Sequence, residues 1–442
     1  MRKTCFYSIL SIFIFLTTGL EGFGQGKRLE KTYTWNYQVD ESAKFTFRNY
    51  DCNLIIHTWD KAEIEYRMGV NATLKTAEEA SRLDEFLKNL EFSHSKGHTE
   101  FNNRFWSSKK AVMGKKTITL KKGGKLRFSE FKMHGELWIP ETNMLDLQSK
   151  YSEISLEDIQ GRLQLDLYND KVYGNGVHSP MTIKAKYSTL EFTHVKDIDA
   201  DLYDTNLEIG DAGDLDVVSR YSDIQTGNTG KVKIDAYSDT YDFGNTGDIQ
   251  FTDKYSDLRA KATGHLVLDC YNSTVDLVSA RDVELNSKYG KYTLEGAHNL
   301  NIASGYSDNF KIGTLHALNV IESKYGVYKL NRLESSVLLK DGYSDKIYVY
   351  ETGNFKEVKI EGKYIVLEVG LDKDLSYSFN AKVKYPKFAI NEEAMNVRVK
   401  IKDGSDLQME AIKGDESEGM PAFFVNGYEM AVTLTENPKD QL

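Results

Sequence analysis

VKIDAYSDTYDFGNTGD, residues 232–248, is followed without a break by IQFTDKYSDLRAKATGH, residues 249–265. In the first stretch Val232 and Ile234 alternate with polar residues up to Tyr237. A Ser238-Asp239 turn follows, then a second apolar run at Tyr241 and Phe243, then Gly244-Asn245-Thr246-Gly247. Alternation with a period of two, bounded by Ser, Asp, Asn and Gly, reads as strand, tight turn, strand, turn. Nothing in the stretch has a helical period.

Reading outward, the residue that opens each unit recurs at Ile198, Leu215, Val232, Ile249, Leu266, Val283 and Leu300, every step equal to the length of the stretch 232–248. Each unit between Leu145 and Tyr343 carries a tyrosine: Tyr151, Tyr168, Tyr187, Tyr203, Tyr221, Tyr237, Tyr255, Tyr271, Tyr289, Tyr306, Tyr325 and Tyr343. A unit this short cannot bury its apolar face alone and must stack on its neighbours. Pro180 is the only proline inside the array, as suits strands paired on both edges. The fold class predicted is all-β, a β-solenoid of about twelve short repeats with capping β-rich ends and one N-terminal helix.

The tyrosines are not evenly spaced; shorter and longer gaps alternate while the unit starts stay evenly spaced. Odd units place a cation before the tyrosine (Lys150, Lys186, Arg220, Lys254, Lys288, Lys324). Most even units place an acid two residues before it (Asp166, Asp201, Asp235, Asp269, Asp341). The extra residue before the odd tyrosine resembles a β-bulge. One turn of the solenoid then takes either a single unit, with cationic and acidic rungs alternating, or a pair of units, with identical rungs stacked. The first is favoured, because it separates like charges and allows attraction across rungs.

Residues 1–24 read as a secretory signal: Arg2 and Lys3, an apolar run from Phe6 to Leu16, and small Gly22 and Gly24 before Gln25. Residues 25–140 are expected to be an α+β entry domain, 141–350 the array, and 351–442 a C-terminal β cap. In the entry domain Thr76 is an N-cap with Glu79 as its capping-box partner, and Ala80, Leu83, Leu87 and Leu90 form the apolar stripe of the helix. Cys52 and Cys270, the two cysteines beyond the signal, lie on distant strands and read as small buried side chains rather than a disulfide. The net charge of −10 argues against general nucleic-acid binding.

The run WIPETNMLDLQSKYSEISLEDIQGRLQLDLYNDKVYG (138–174) and the opening FRNYDCNLIIHTWDKAEIEYR (47–67) resemble the bacterial putative-adhesin families of β-strand repeats, exported domains of unknown function. Here Tyr-Ser-Asp replaces the Ser-Gly-Asp commoner at the turns of those families. The resemblance extends over roughly residues 44–70 and 136–365. It implies the fold and brings no catalytic residues.

Four groups of residues are candidates for chemistry. The tyrosine column, above all Tyr151, Tyr187, Tyr221, Tyr255, Tyr289 and Tyr325, either packs rung on rung or offers phenol rings to sugars or a partner. The turn acids Glu153, Asp223, Asp239, Asp257, Asp308 and Asp345 suit glycoside cleavage or calcium in principle, but Ser-Asp turns form for local reasons. His94 and His98, near Glu100, have a helical metal-ligand spacing on a segment that reads as strand. From Arg104 to Arg127 nine cations occur with no acid, among them Lys109, Lys110, Lys115, Lys116, Lys121 and Lys122. They either guard a sheet edge or dock an anion.

Together these features predict an exported, non-enzymatic, adhesin-like binding protein of the periplasm, outer-membrane surface or extracellular space. Its expected partners are a glycan, an envelope component or a protein; no nucleic acid, cofactor, metal or transmembrane span is expected. The alternatives are a polysaccharide-cleaving β-helix enzyme and a periplasmic structural or envelope-stress protein.

Overall fold

The structure, a computed structural model, describes residues 26–112 and 115–436; the expected signal at 1–24 lies outside them. The chain forms two compact units. One takes the described parts of Met1–Tyr33, Gly69–Leu90 and Phe105–Lys132; the other takes Thr34–Met68, Glu91–Arg104 and the chain from Met133 onward.

The first unit holds the helix Ala77–Lys88 and an antiparallel sheet of Trp106–Val112, Lys115–Leu120 and residues 125–128. Thr76 caps the helix as its sequence predicts, its hydroxyl accepting the Glu79 N–H at 3.2 Å. The box is not closed. The Glu79 carboxylate turns instead to the Arg127 guanidinium, 2.9 Å away. Leu83 and Leu87 are fully buried, and Phe86, Phe105, Trp106, Phe128 and Phe131 form a chain of ring contacts. No helix among the described residues is long and apolar enough to cross a membrane.

The second unit is the solenoid, about twelve turns of stacked parallel strands. Up to Lys254 each turn of the array has two strands, and from Asp257 to Tyr343 the second strand of each turn runs on into the first strand of the next as one long strand. In one two-stranded turn the strands are Ile198–Tyr203 and Asn206–Ala212; in the next, Leu215–Arg220 and Asp223–Thr226. The first strand of each turn pairs only with first strands, and the second with second strands, so two parallel sheets face each other across the core. The register places Ile198 on Leu215, Leu215 on Val232 and Val232 on Ile249. One turn is therefore a single unit, as favoured. Leu215, Val217, Ser219, Ser222, Ile224 and Thr226 point inward and the residues between them are exposed, with two outward residues in succession, Arg220 and Tyr221, at the corner. This is why the period-two pattern is legible.

The expected bulge is absent. First strands of odd and even turns are the same length and pair residue for residue from Leu145 to Leu285; the first register shift falls between Leu285 and Asn286. The tyrosine moves instead. In even turns it is the last residue of the strand, and in odd turns it is the corner residue after the strand. The corner requires a left-handed backbone, with φ near +60° at Tyr151, Tyr187, Tyr221, Tyr255, Tyr289 and Tyr325. In even turns the same conformation falls on Asn169, Asp204, Ser238, Asn272, Ser307 and Ser344.

The ladder continues beyond 141–350 through segments that are out of chain order. Residues 44–50 pair in parallel with 144–150, and 53–59 with 134–140. At the other end 357–363 pair with 422–428, which pair in turn with 378–384. An antiparallel hairpin, Met395–Asp403 and Asp406–Lys413, then closes that sheet against 377–384. Cys52 and Cys270 are both buried and unbridged, as expected.

Candidate functional site: a tyrosine ladder on a polar buried corner

The corner of the solenoid is built from two columns of residues, one inside and one outside. Inside, polar side chains replace the apolar core. The Asp170 carboxylate accepts the Ser152 and Tyr168 N–H groups at 2.8 and 3.0 Å, and the Ser149 hydroxyl at 3.1 Å. Asp239 accepts the Ser222 and Tyr237 N–H groups and the Ser219 hydroxyl at 2.7, 2.9 and 3.0 Å. Asp308 does the same with Gly290, Tyr306 and Ser287, and Asp345 with Gly326, Tyr343 and Ser323. Each even-turn aspartate thus reaches back to the turn before it and ties down the backbone on both sides of the strained corner. One pair is reversed. Asp253 stands where four of the other five odd turns have Ser and one has Ala185, and it meets Ser273, where most other even turns have Asp, at 2.8 Å.

Burial is the main influence on these acids. It raises the Asp170 and Asp345 carboxyls to about 6 against the opposing hydrogen bonds, and raises Asp239, Asp253 and Asp308 as well. Of the turn acids singled out by sequence, Asp239, Asp308 and Asp345 belong to this network, whereas Glu153 and Asp223 are exposed and Asp257 half-buried, each beginning a second strand. Asp170 and Asp253 complete the network, and the sequence reading does not single them out. Their signal is positional: Ser two residues before an odd tyrosine faces Asp two residues after the next.

Outside the corner stands the tyrosine column. Its rings meet edge to face at every step, with centroids 5.4–5.7 Å apart and planes 74–83° apart. The column holds sixteen rings. Tyr50 precedes Tyr151, and Tyr364, Tyr428 and Tyr385 follow Tyr343. The alternation of shorter and longer tyrosine gaps has a physical purpose here. In-register strands about 4.8 Å apart would force identical tyrosines into a face-to-face sandwich, which the ring quadrupole disfavours. Shifting every second tyrosine onto the corner turns neighbouring rings roughly perpendicular. The six corner tyrosines from Tyr151 to Tyr325 remain 44–50 % exposed, so the ladder is an outer surface and not core.

The cations that precede the odd tyrosines do not stack on the acids of the neighbouring turns, as charge alternation suggested. Lys186 is in register with Tyr168 and Tyr203, and Arg220 with Tyr203 and Tyr237. Lys150 sits over the Tyr168 ring at 5.5 Å. The ladder therefore alternates ring and cation along the last strand position.

Each of the other candidates has a definite place. Lys109, Lys110, Lys115 and Lys116 lie on the antiparallel sheet of the first unit and Lys121 and Lys122 in the turn that follows Leu120, all exposed. Lys109 lies over the Phe131 ring at 5.4 Å, and Lys116 donates to the Ser129 carbonyl at 3.3 Å. Lys110, Lys115 and Lys116 line an open groove of about 1090 Å³ with Lys125, Arg127 and Glu79. His94 and His98 lie on a short hairpin and bond to Thr99 and Thr46. Among the described residues no three His, Cys, Asp or Glu side chains converge as a metal site.

No family model matches the chain, and no curated protein is similar to it in sequence. One solved structure to which it is similar is described as a "putative cell adhesion protein" from Clostridium sporogenes. The likeness covers 92 % of this chain and 100 % of that one, at 8 % identity and a TM-score of 0.16. At that level it carries no argument about function.

Proposed function

We propose that this chain is an exported, non-enzymatic, adhesin-like protein that binds an extended glycan along its tyrosine ladder. The observation that carries this reading is the continuity of the ladder: sixteen partly exposed rings at one corner of every turn, spaced by the backbone repeat. A globular partner would need a local patch. A column that repeats unchanged instead matches a ligand that itself repeats, and the amphipathic phenol suits the apolar face and hydroxyl rim of a sugar. Export is supported by the signal-like residues 1–24, which end before the ladder begins.

The test is co-sedimentation of the mature protein with a panel of insoluble and immobilised polysaccharides, with the supernatant assayed for released sugar. Binding without release is expected. A triple Y187A/Y221A/Y255A variant should lose at least tenfold in affinity while keeping its far-UV circular dichroism. Released oligosaccharides would overturn the non-enzymatic reading, and unchanged binding by the variant would overturn the ladder as the site.

A further inference from the structure

The ladder also carries a regular charge. The residue that precedes each odd tyrosine is a cation, and the series runs Lys150, Lys186, Arg220, Lys254, Lys288 and Lys324, then continues at Lys363 and Lys384 before Tyr364 and Tyr385. All eight are exposed. Parallel register places them in one column with the even tyrosines, so that ring and cation alternate from Lys150 to Tyr343 and on through Lys363 to Tyr428. Successive cations are two rungs apart, about 9.6 Å. Of the six in the array, only Lys324 forms an ion pair among the described residues, with Glu322 at 3.2 Å. In a chain of net charge −10, a straight column of mostly unneutralised cations is set against the average.

Two further features limit what could lie there. Beside the column runs a groove of about 590 Å³, lined by Tyr203, Arg220, Tyr221, Asp235, Tyr237 and Lys254 among others, so ring, cation and acid share one concavity. The acids of the even turns, Asp201, Asp235 and Asp269, are exposed two residues before their tyrosines, on the same outward face. A ligand with dense negative charge, such as a nucleic acid, would meet these carboxylates at every second rung and be repelled. A sugar chain would use them, since carboxylates accept hydrogen bonds from hydroxyls.

Building on the proposed glycan binding, we infer that the ligand is an acidic polysaccharide with one anionic group per disaccharide. Two rungs match the length of an extended disaccharide. The tyrosine stacks on the sugar, the aspartate takes its hydroxyls, and the lysine or arginine pairs with the single carboxylate or sulfate.

The experiment is fluorescence anisotropy of the mature protein with labelled decasaccharides of three kinds. These are hyaluronan (one carboxylate per disaccharide), polygalacturonate (one per sugar) and a neutral cello-oligosaccharide. Hyaluronan should bind at least tenfold more tightly than either of the others, and its affinity should fall as salt rises from 50 to 300 mM. A K186Q/K254Q/K288Q variant, altered only at exposed side chains, should lose tenfold or more for hyaluronan and nothing for the neutral chain. Equal binding of neutral and acidic chains, with no effect of the lysine variant, would overturn the charge inference and leave the ladder standing. Tightest binding to polygalacturonate would overturn the two-rung register. Binding of none of the three would overturn both this inference and the glycan reading on which it rests.

Discussion

Tyr221 holds a left-handed backbone at φ 56°, a conformation that costs a non-glycine residue on the order of 1 kcal/mol. Two things offset that cost. Its N–H donates to the Tyr237 carbonyl at 3.1 Å, and its ring meets those of Tyr203 and Tyr237 at 5.7 and 5.6 Å. Edge-to-face pairs contribute about 0.5–1.5 kcal/mol each beyond the area they bury. Tyr221→Ala keeps the strain and loses both ring contacts, so it should destabilise by about 1–3 kcal/mol in urea denaturation. Tyr221→Asn relieves part of the strain and should cost less. If alanine costs no more than asparagine, the left-handed corner stores no strain at this position, and if neither substitution costs anything, the rings contribute nothing to stability. The buried acids behave in the opposite sense to surface carboxylates. Folded Asp170 and Asp345 hold a proton up to about pH 6, whereas unfolded aspartate releases it near 4. Between those values the folded state binds more protons, so their contribution is full below about pH 4 and is lost as the pH rises to 6. Urea midpoints should therefore fall between pH 4.5 and 7, and the fall should be smaller in a D170N/D345N variant. Midpoints that rise over this range, or an undiminished fall in the variant, would show that other groups set the dependence.

At the scale of a pair of turns, the reversed contact between Asp253 and Ser273 shows that the corner admits one carboxylate for two rungs, on either side. The double swap D253S/S273D restores the arrangement of the other pairs and should lie within about 1 kcal/mol of the parent. S273D alone sets two carboxylates against each other, and D253S alone leaves the Ser256 N–H without its acceptor; each should cost more, with a coupling of about 1–3 kcal/mol in a double-mutant cycle. The same compensation explains two departures from the Lys-Tyr-Ser pattern. Where Tyr292 and Tyr328 enter the corner, the residue after the odd tyrosine is Gly290 or Gly326. A Cβ there would stand 2.5 Å from the Tyr292 ring, or 2.8 Å from the Tyr328 ring. Gly326→Ser should thus destabilise by about 1–3 kcal/mol, although serine occupies the equivalent corner in four other odd turns. These pairings mark the limit of what a sequence reading reaches. The apolar alternation specifies the strands and the length of the turn, and the Thr76 hydroxyl its helix cap, because each depends on residues near in the chain. The inner column escapes such a reading because Ser-Asp after a tyrosine looks like any turn, and its meaning lies a full turn of chain away, on the next rung. The shifting corner reads as a bulge because spacing alone does not tell an inserted residue from a tyrosine that has moved one place. The end rungs lose their period because 44–50 and 422–428 join the ladder out of chain order.

Across the whole solenoid, the unit of assembly is the pair of turns, though the unit of winding is one. Winding needs only a single repeat and an inward apolar pattern. Three further features belong to the pair of turns: the perpendicular setting of the tyrosines, the cation column, and, in all the even turns of the array but those of Thr205 and Ser273, the aspartate that reaches back to the turn before it. Deletion of residues 215–248 removes one odd and one even turn and joins an even turn to an odd one. Tyr203 then meets Tyr255, Ser256 takes the place of Ser222 in accepting the Thr205 N–H, and every pairing keeps its parity. Deletion of residues 215–231 removes one odd turn and joins two even ones. Tyr203 and Tyr237 would then stack in identical positions, and the Asp239 carboxylate, which now meets Ser219, would face Leu202, the residue in register with Ser219. A buried carboxyl group that loses such hydrogen-bond partners costs about 1–3 kcal/mol. The longer deletion should therefore unfold cooperatively within a few degrees of the parent, and the shorter one many degrees lower, as followed by circular dichroism at 218 nm. Equal melting of the two would mean that single turns are interchangeable and that the alternation of the tyrosines does not specify how this solenoid is put together.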